Sequence, residues 1–306
     1  MAQPVRLLFR RPVRAEIRWI AIAGLCGCLL QSTVAAAVQD GTTAGPPSEP
    51  ARNWALEAMK NEILLIQHPN SYLRFRYHAI DEKGDHTRDQ IETPEGTVAR
   101  MIQRDGRPLT QDEDDAEKAR LNDILKDPSG FTRHIKREQD NKKMGVRLIQ
   151  QMPDAFLWSY APGQPQIPKG SAGSGALVVL DFKPNPKWSP PDMEAAALTG
   201  VEGRAWIDPQ TKYVVHLEAT LTRAVNIGWG MVAHLYPGGT TKVDQVNAAG
   251  NRWVVQHIVE KISVRALMVK TINQRLQFDT GEYQPVKSMT VSEAVKLLLD
   301  TPLPRH

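Results

Sequence analysis

Two hydrophobic periods divide the chain into segments of different secondary structure. Between Ala51 and His68 the apolar residues recur at helical spacing, at Trp54, Ala55, Met59, Ile63 and Leu64. From Leu73 to Ala79 apolar residues alternate with Arg74, Arg76 and His78. This period of two is typical of a half-buried antiparallel strand. The pattern therefore predicts an amphipathic helix that lies on a following sheet.

Strand-like runs recur along the chain as far as Phe278. They cover Thr97–Arg104, Ala155–Ala161, Ala176–Phe182, Gly203–Asp208, Tyr213–Thr222, Gly228–Tyr236, Thr240–Asn247, Arg252–Ser263, Arg265–Ile272 and Gln274–Phe278. Turn residues separate them, among them Asp105-Gly106, Asp208-Pro209, Pro237-Gly238-Gly239, Gly250-Asn251 and Thr280-Gly281. Roughly ten consecutive strands favour an antiparallel meander that curves into an incomplete barrel. We therefore predict a mainly β fold with helices, of the α+β class.

A charged helical insertion interrupts the predicted sheet over residues 110–151. Thr110 and Glu113 have the spacing of a capping box, and a second helix is predicted to start at Asp127-Pro128. Residues 111–143 contain 17 charges in 33 positions, which favours a solvated hairpin whose removal would leave the fold intact. The alternative is a lid over the sheet or a docking arm for an envelope protein.

The N-terminal segment has the features of an export signal. Arg10, Arg11, Arg14 and Arg18 precede an apolar run, Trp19 to Leu30. Ala35-Ala36-Ala37 fits a signal peptidase site, so residues 1–37 are predicted to be a signal peptide cleaved between Ala37 and Val38. Two alternatives remain open. Leu25-Cys26-Gly27-Cys28 is similar to a lipobox, in which Cys28 is lipidated, and the uncharged run Trp19 to Val38 is long enough for an uncleaved anchor.

Charge and cysteine content narrow the class of protein. Residues 1–37 hold five arginines and one glutamate, so the rest of the chain carries 33 basic and 33 acidic residues. This balance argues against a nucleic-acid partner. Both cysteines, Cys26 and Cys28, lie in the signal segment, so the mature chain is expected to have no disulfide.

The sequence also predicts how the rest of the chain is divided into segments. Residues 38–50 are rich in Gly, Pro, Ser and Thr and are interpreted as a flexible linker. Residues 51–286 are predicted to form the ligand-binding half-barrel domain, and residues 287–306 a C-terminal helix and tail.

Catalytic patterns are weak in this sequence. His216, His234 and His257 fall on three predicted strands, but no metal-binding spacing accompanies them. The carboxylates Asp181, Glu202, Asp208 and Glu218, and the serines of Lys169–Gly175, match no catalytic motif. We therefore predict no enzymatic activity, no metal site and no cofactor.

Large apolar residues on the predicted strands are the main candidates for ligand binding. Either they fill the core between sheet and helices, or some of them line an apolar cavity. The candidate cavity residues are Leu73, Phe75, Tyr77, Trp206, Trp229, Met231 and Trp253, which are large and alternate with polar neighbours.

Several short sequence segments, from predicted turns and strands, resemble those of a bacterial family. The hairpin from Ala205 to Glu218 is similar to the lipoprotein-localisation-factor superfamily. A closer similarity, to an uncharacterised set of bacterial exported proteins, rests on Arg104–Thr110, Asp154-Ala155-Phe156, Phe182–Pro186 and Gly228-Trp229-Gly230. The resemblance covers roughly residues 51–286. It implies an incomplete barrel of about eleven strands, closed by helices over a hydrophobic cavity that holds acyl chains.

These observations together predict a non-enzymatic periplasmic protein that binds a hydrophobic small molecule, a lipid or the acyl chains of a lipoprotein. The alternative is a structural or interaction module of the cell envelope that has a filled core and no ligand cavity.

Overall fold

A computed structural model describes residues 49–69, 71–163, 177–228, 232–249, 252–266 and 269–303. The predicted signal peptide, its cleavage site at Ala37 and Val38, both cysteines, most of the predicted linker and the loop Lys169–Gly175 lie outside these residues.

The described chain contains four α-helices, one 3-10 helix and thirteen strands. The helices are α1 (Ala51–Gln67), α2 (Gln111–Lys126), α3 (Ser129–Ala155), the 3-10 helix (Ala195–Gly200) and α4 (Val291–Asp300). The strands are β1 (Tyr72–Asp81), β2 (Gly84–Glu92), β3 (Thr97–Arg104), β4 (Arg107–Pro108), β5 (Phe156–Tyr160), β6 (Val178–Pro184), β7 (Val201–Ile207), β8 (Val214–Leu221), β9 (Val225–Ile227), β10 (Ala233–Leu235), β11 (Thr240–Ala248), β12 (Arg252–Ala266) and β13 (Lys270–Val286).

All thirteen strands belong to one antiparallel sheet. The order across it is β4-β3-β2-β1-β13-β12-β11-β8-β7-β6-β5, and the short pair β9 and β10 joins it through β12. In the described residues β4 and β5 are the two edges, so the sheet is not closed. The predicted α+β class, a mainly antiparallel sheet covered by helices, is confirmed.

The strand boundaries differ from the prediction where tertiary pairing overrides the local pattern. Strand β2 was not predicted, because GDHTRDQIE has little apolar content. No strand end occurs near Ser263, since β12 continues to Ala266. Thr280-Gly281 is not a turn either: β13 runs through it, with a register shift opposite Arg74 and Arg76 of β1. The predicted strand Gly228–Tyr236 is replaced by β9 and β10.

Register assigns each residue to one of two faces, because directly opposed residues of neighbouring strands point to the same side. We define the inner face by the row Leu217, Val243, Ile258, Phe278 and Ala79, which are opposed in turn across β8, β11, β12, β13 and β1. Helix α1 and the C-terminal half of α3 pack on this face over β5 to β8. The inner core includes Trp54, Ala55, Met59, Leu148, Ile149, Phe182, Ala205 and Leu217.

The opposite, outer face is covered over β2 and β3 by α2 and α4. Ile91, Val98, Leu121, Val295 and Leu298 form this second core. Both helices begin with a capping box. That of α2, at Thr110 and Glu113, was predicted, and that of α4 is formed by Thr290 and Glu293.

Buried Arg100 of β3 joins these helices to the sheet. Its guanidinium donates to Asp114 Oδ1 of α2 at 2.7 Å and to the carbonyl oxygens of Leu298 and Thr301 at the C-terminal end of α4, at 2.5 and 2.7 Å. A cation at this position satisfies carbonyl groups that have no partner within the helix.

Helix α3 connects the two cores. Phe131 and Ile135 in its first half pack against the outer core, whereas Met144, Leu148 and Ile149 in its second half belong to the inner core. The interpretation of residues 110–151 as a solvated hairpin is therefore wrong for the apolar side of these helices. Their charges lie on the exposed side, while one apolar residue every three or four positions carries the packing.

No helix in the described ranges has both the length and the apolar content required to cross a membrane.

Candidate ligand-binding site on the inner face

A pocket of about 240 Å³ opens where the C-terminal end of α1 meets the start of β12. It is lined by Leu64, Leu65, His68, Thr211, Tyr213, Arg252 and Trp253. The rings of Tyr213 and Trp253 stack with centroids 5.2 Å apart and an interplanar angle of 27°. Leu64 at the rim is 53% exposed, so the pocket has both an aromatic wall and an exposed aliphatic edge.

Glu92 connects this pocket to β1. Its carboxylate accepts a hydrogen bond from the Leu73 amide at 2.9 Å and from Arg252 Nη2 at 2.8 Å. Arg252 also donates to the Ser71 carbonyl at 2.6 Å. Two predicted cavity residues, Leu73 and Trp253, are thus brought to the same end of the inner face, and Leu73 is fully buried there.

Four rings continue from the pocket along β1 and β13, and we call them the aromatic strip: Phe75, Tyr77, Phe278 and Tyr283. The Tyr77 and Phe278 centroids are 5.2 Å apart, and those of Phe75 and Tyr283 are 6.3 Å apart. All four side chains are half-buried. Burial raises the pKa of the Tyr77 hydroxyl and of the Tyr283 hydroxyl above their usual value.

The structure does not bring all the predicted cavity residues together. Trp206 lies opposite His216, and its neighbour Ala205 lies opposite Leu217 of the inner face, so Trp206 is on the outer face. There the Trp206 ring packs edge-on against the His216 ring, with the two ring centroids 4.6 Å apart. Trp229 and Met231 lie outside the described residues.

Two buried carboxyl groups also lie on the inner side. Glu62 of α1 accepts from Gln245 Nε2 at 3.0 Å and from the Val214 amide at 3.4 Å. Burial raises the pKa of Glu62 to about 7, although these hydrogen bonds lower it. Burial alone raises the pKa of Glu260 on β12 to about 8. Glu62 has two partners within the protein, whereas a perturbed carboxyl group without a partner, such as Glu260, marks a candidate functional position.

The outer face of the same strands carries a histidine–aspartate row. Its members are His216, Asp244, His257, Asp279, His78 and Asp85, from β8, β11, β12, β13, β1 and β2. The His216 Nδ1 to Asp244 Oδ1 distance is 2.6 Å, His257 contacts Asp279, and the His78 Nε2 to Asp85 Oδ1 distance is 2.9 Å. Burial lowers the pKa of His216, but the carboxylates of Asp244 and Glu218 raise it above its usual value overall.

The three histidines considered as metal ligands do not converge. His216 and His257 lie on either side of Asp244. His234 lies on β10, where its Nδ1 is 2.6 Å from Asn226 Oδ1. Within the described ranges, no group of three or more His, Cys, Asp or Glu side chains is arranged to hold a metal ion.

The four carboxylates considered for acid–base chemistry are also separated. Asp181 pairs with Arg204, Glu218 pairs with Lys242, Asp208 accepts from the Gln210 and Thr211 amides of its turn, and Glu202 accepts from Thr222. Each therefore has a structural partner of its own.

The sequence reasoning missed Tyr213, Phe278, Tyr283 and Glu260. Tyr283 was missed because the predicted strand ended before the Thr280-Gly281 turn, whereas Phe278 lay on that strand and was not chosen as a cavity residue. Glu260 carried a signal that was available in the sequence, since it interrupts the apolar positions Ile258, Ile262 and Val264 at strand spacing.

Comparison with known proteins gives little further information. No protein-family model matches the chain, and no curated protein matches it. A crystal structure assigned to an outer membrane lipoprotein-sorting protein domain from Vibrio parahaemolyticus is 9% identical, with a TM-score of 0.30 over 80% of this chain and 99% of that chain. Both values are too low to transfer residue roles.

Proposed function

We propose that this protein is a non-enzymatic binding protein for an apolar ligand, a lipid or the acyl chains of a lipoprotein. The observation that carries the proposal is the aromatic strip, whose four half-buried rings continue the inner face away from the stacked Tyr213–Trp253 pocket. Four partly exposed rings on one face of a sheet are a common feature of surfaces that bind apolar ligands.

The pocket and the strip have different roles in this proposal. Ligand pockets commonly enclose ~300–1,000 Å³, so a pocket of about 240 Å³ accommodates only the end of an acyl chain. The remainder of the chain would lie along Phe75, Tyr77 and Phe278, where it removes half-exposed rings from water.

Fluorescence titration with 1-N-phenylnaphthylamine, an apolar fluorophore, tests this arrangement. Phe75→Ala removes a ring of the strip, and we expect binding to weaken about 10- to 150-fold, because a lost aromatic contact costs about 1.5–3 kcal/mol. Trp206→Ala is the matched control, since it removes a half-buried ring from the outer face. Equal affinities for wild type and Phe75→Ala would contradict the proposed site.

Mass spectrometry of lipids extracted from the purified protein provides the second test. A carrier retains lipid, and the amount should fall in Phe75→Ala but not in Trp206→Ala. A protein that retains no lipid and binds no fluorophore would favour the alternative, a structural or interaction module of the envelope.

In this proposal the protein works in the periplasm after export. Support comes from the arginine-rich start, the apolar run and Ala35-Ala36-Ala37. Intact mass and N-terminal sequencing of protein purified from the envelope should show a chain that begins at Val38 and has no thiol. A diacylated Cys28 at the N-terminus would contradict this and would show a membrane-attached lipoprotein.

A further inference from the structure

Glu260 is an unusual residue for its position in the sheet. It lies on the inner face of β12, opposite Thr241 of β11 and Leu276 of β13, and its relative exposure is 1%. In the described part of the chain neither of its carboxyl oxygens has a hydrogen-bond partner. Buried carboxyl groups are normally paired, because an unpaired charge in an apolar environment is costly.

The residues around Glu260 leave it without a counter-ion. Ile258 and Ile262 precede and follow it on the same face, and Thr241 and Leu276 flank it across the sheet. The nearest basic side chains in sequence and register, Lys261 and Arg275, oppose each other on the outer face. None of the described residues opposed or adjacent to Glu260 on the inner face is charged.

Glu260 borders the proposed binding surface. Leu276 and Ile262, its immediate neighbours, are half-buried and not sealed in the core. Phe278, two residues beyond Leu276 on the same face, belongs to the aromatic strip. Because Glu260 itself is 1% exposed, a ligand on the strip contacts its carboxyl group only when the side chain of Leu276 or Ile262 moves aside.

We propose that Glu260 binds the protonated amine of an amphiphilic ligand whose apolar chain lies on the aromatic strip; this inference rests on the proposed function. An ammonium group supplies the N–H donors that the two carboxyl oxygens lack and the positive charge that the inner face lacks. On binding, the carboxyl group gives its proton to the solvent and the resulting carboxylate pairs with the ammonium group. The net charge of the site is therefore zero before and after binding.

An amine fits these observations better than the other donors. An alcohol donates one hydrogen bond and leaves the carboxyl group protonated, because it supplies no positive charge to pair with a carboxylate. A metal ion needs several ligands from one cluster, and no such cluster occurs within the described residues.

Isothermal titration calorimetry tests the inference, with decylammonium and decanoate below their critical micelle concentrations and decanol below its solubility limit. In the wild-type protein we expect decylammonium to bind at least about tenfold more tightly than decanol, and decanoate more weakly than either. Glu260→Gln should abolish the preference for the amine. Glu62→Gln, the matched control at the other buried carboxyl group, should retain it.

Proton release provides an independent readout. Titration at pH 7 in two buffers of different ionisation enthalpy should show about 0.9 proton released for each decylammonium bound, because the pKa of Glu260 is about 8. No release is expected with decanol or with Glu260→Gln. If Glu260→Gln does not fold, Glu260→Leu replaces it in both measurements.

The outcomes separate this inference from the proposed function. Equal binding of all three probes, or an amine preference that persists in Glu260→Gln, would overturn the inference and leave the proposed function standing. Failure of every probe to bind the wild-type protein would overturn both.

Discussion

The two faces of the sheet between β8 and β1 place ionisable groups in opposite surroundings. On the outer face, histidine and aspartate alternate from strand to strand at His216, Asp244, His257 and Asp279, so each has a polar partner beside it. On the inner face, Glu260 is surrounded by Ile258, Ile262, Thr241 and Leu276. Outer-face charges are thus stabilised by neighbours, while the inner-face carboxyl is kept neutral by its surroundings.

This difference bears on where the proposed ligand lies. The row supplies partners for its own members within the sheet, since histidine and aspartate side chains lie side by side on neighbouring strands. An unpaired buried acid beside half-exposed rings lowers stability, and such a cost is common at functional sites. The contrast supports the placement of the proposed ligand on the inner face and leaves the outer row a structural role.

The largest expected effect comes from removing the helices that join the two cores. Replacing residues 110–151 with a short Gly/Ser linker should abolish cooperative thermal unfolding, because buried Leu121, Leu148 and Ile149 are lost from the two cores. Circular dichroism during heating measures this. Asp123→Ala combined with Lys126→Ala is the control, since it removes only an exposed ion pair. A deletion variant with a near wild-type transition would contradict the assigned packing.

Adjacent residues of β12 compare the faces directly. Ile258→Ala on the inner face should lower the free energy of unfolding by ~4 kcal/mol, because a nearly fully buried side chain leaves a cavity. Val259→Ala, half-buried on the outer face, should cost ~1 kcal/mol. Urea denaturation of both variants measures the difference. Equal costs would show that the assignment of the faces is incorrect.

The pH dependence of stability tests the lone inner-face carboxyl group. The pKa of Glu260 is raised from 4.5 to about 8, so above pH 4.5 the unfolded state loses a proton that the folded state keeps. Stability should therefore fall as the pH rises from 4.5 to 8, with a contribution of about 3 kcal/mol from Glu260 by pH 7. Urea denaturation across this range should show that Glu260→Gln removes that part of the slope. Glu62, which has a pKa of about 7, accounts for a further part that remains in this variant.

The outer row should give a smaller effect through a different group. Because the pKa of His216 is raised by Asp244 and Glu218, against the effect of burial, its pairing stabilises the protein below pH 6.5 and is lost as the pH rises through the raised value. Asp244→Asn should cost about 1 kcal/mol near pH 6, since both side chains are partly exposed, and little at pH 9. Nuclear magnetic resonance titration should show a lower pKa for His216 in this variant and no change in Glu202→Gln. An unchanged pKa in Asp244→Asn would argue against the pairing.

Local patterns in the sequence were sufficient for several elements. The helical spacing after Ala51, the capping box of Thr110 and Glu113 and the alternation from Leu73 to Ala79 all predicted structure that is present. Each depends on residues that are close in sequence, where side-chain spacing and backbone capping act directly. Strand β2 was missed because its polar segment becomes a strand only by pairing with β1 and β3 on both sides.

The assignment of faces was decided by the tertiary structure. Trp206 and Trp253 have similar sequence surroundings, yet Trp206 lies on the outer face of the sheet and Trp253 on the inner face. The pairing register and bulges, such as the one at Asp244 and Gln245, determine which face each strand residue occupies. An alternating pattern shows that one side of a strand is buried but not which neighbour covers it, and a shift of one residue exchanges the sides. The sequence by itself thus determined the helices, most strands and the fold class, whereas long-range pairing determined the aromatic strip and the isolation of Glu260.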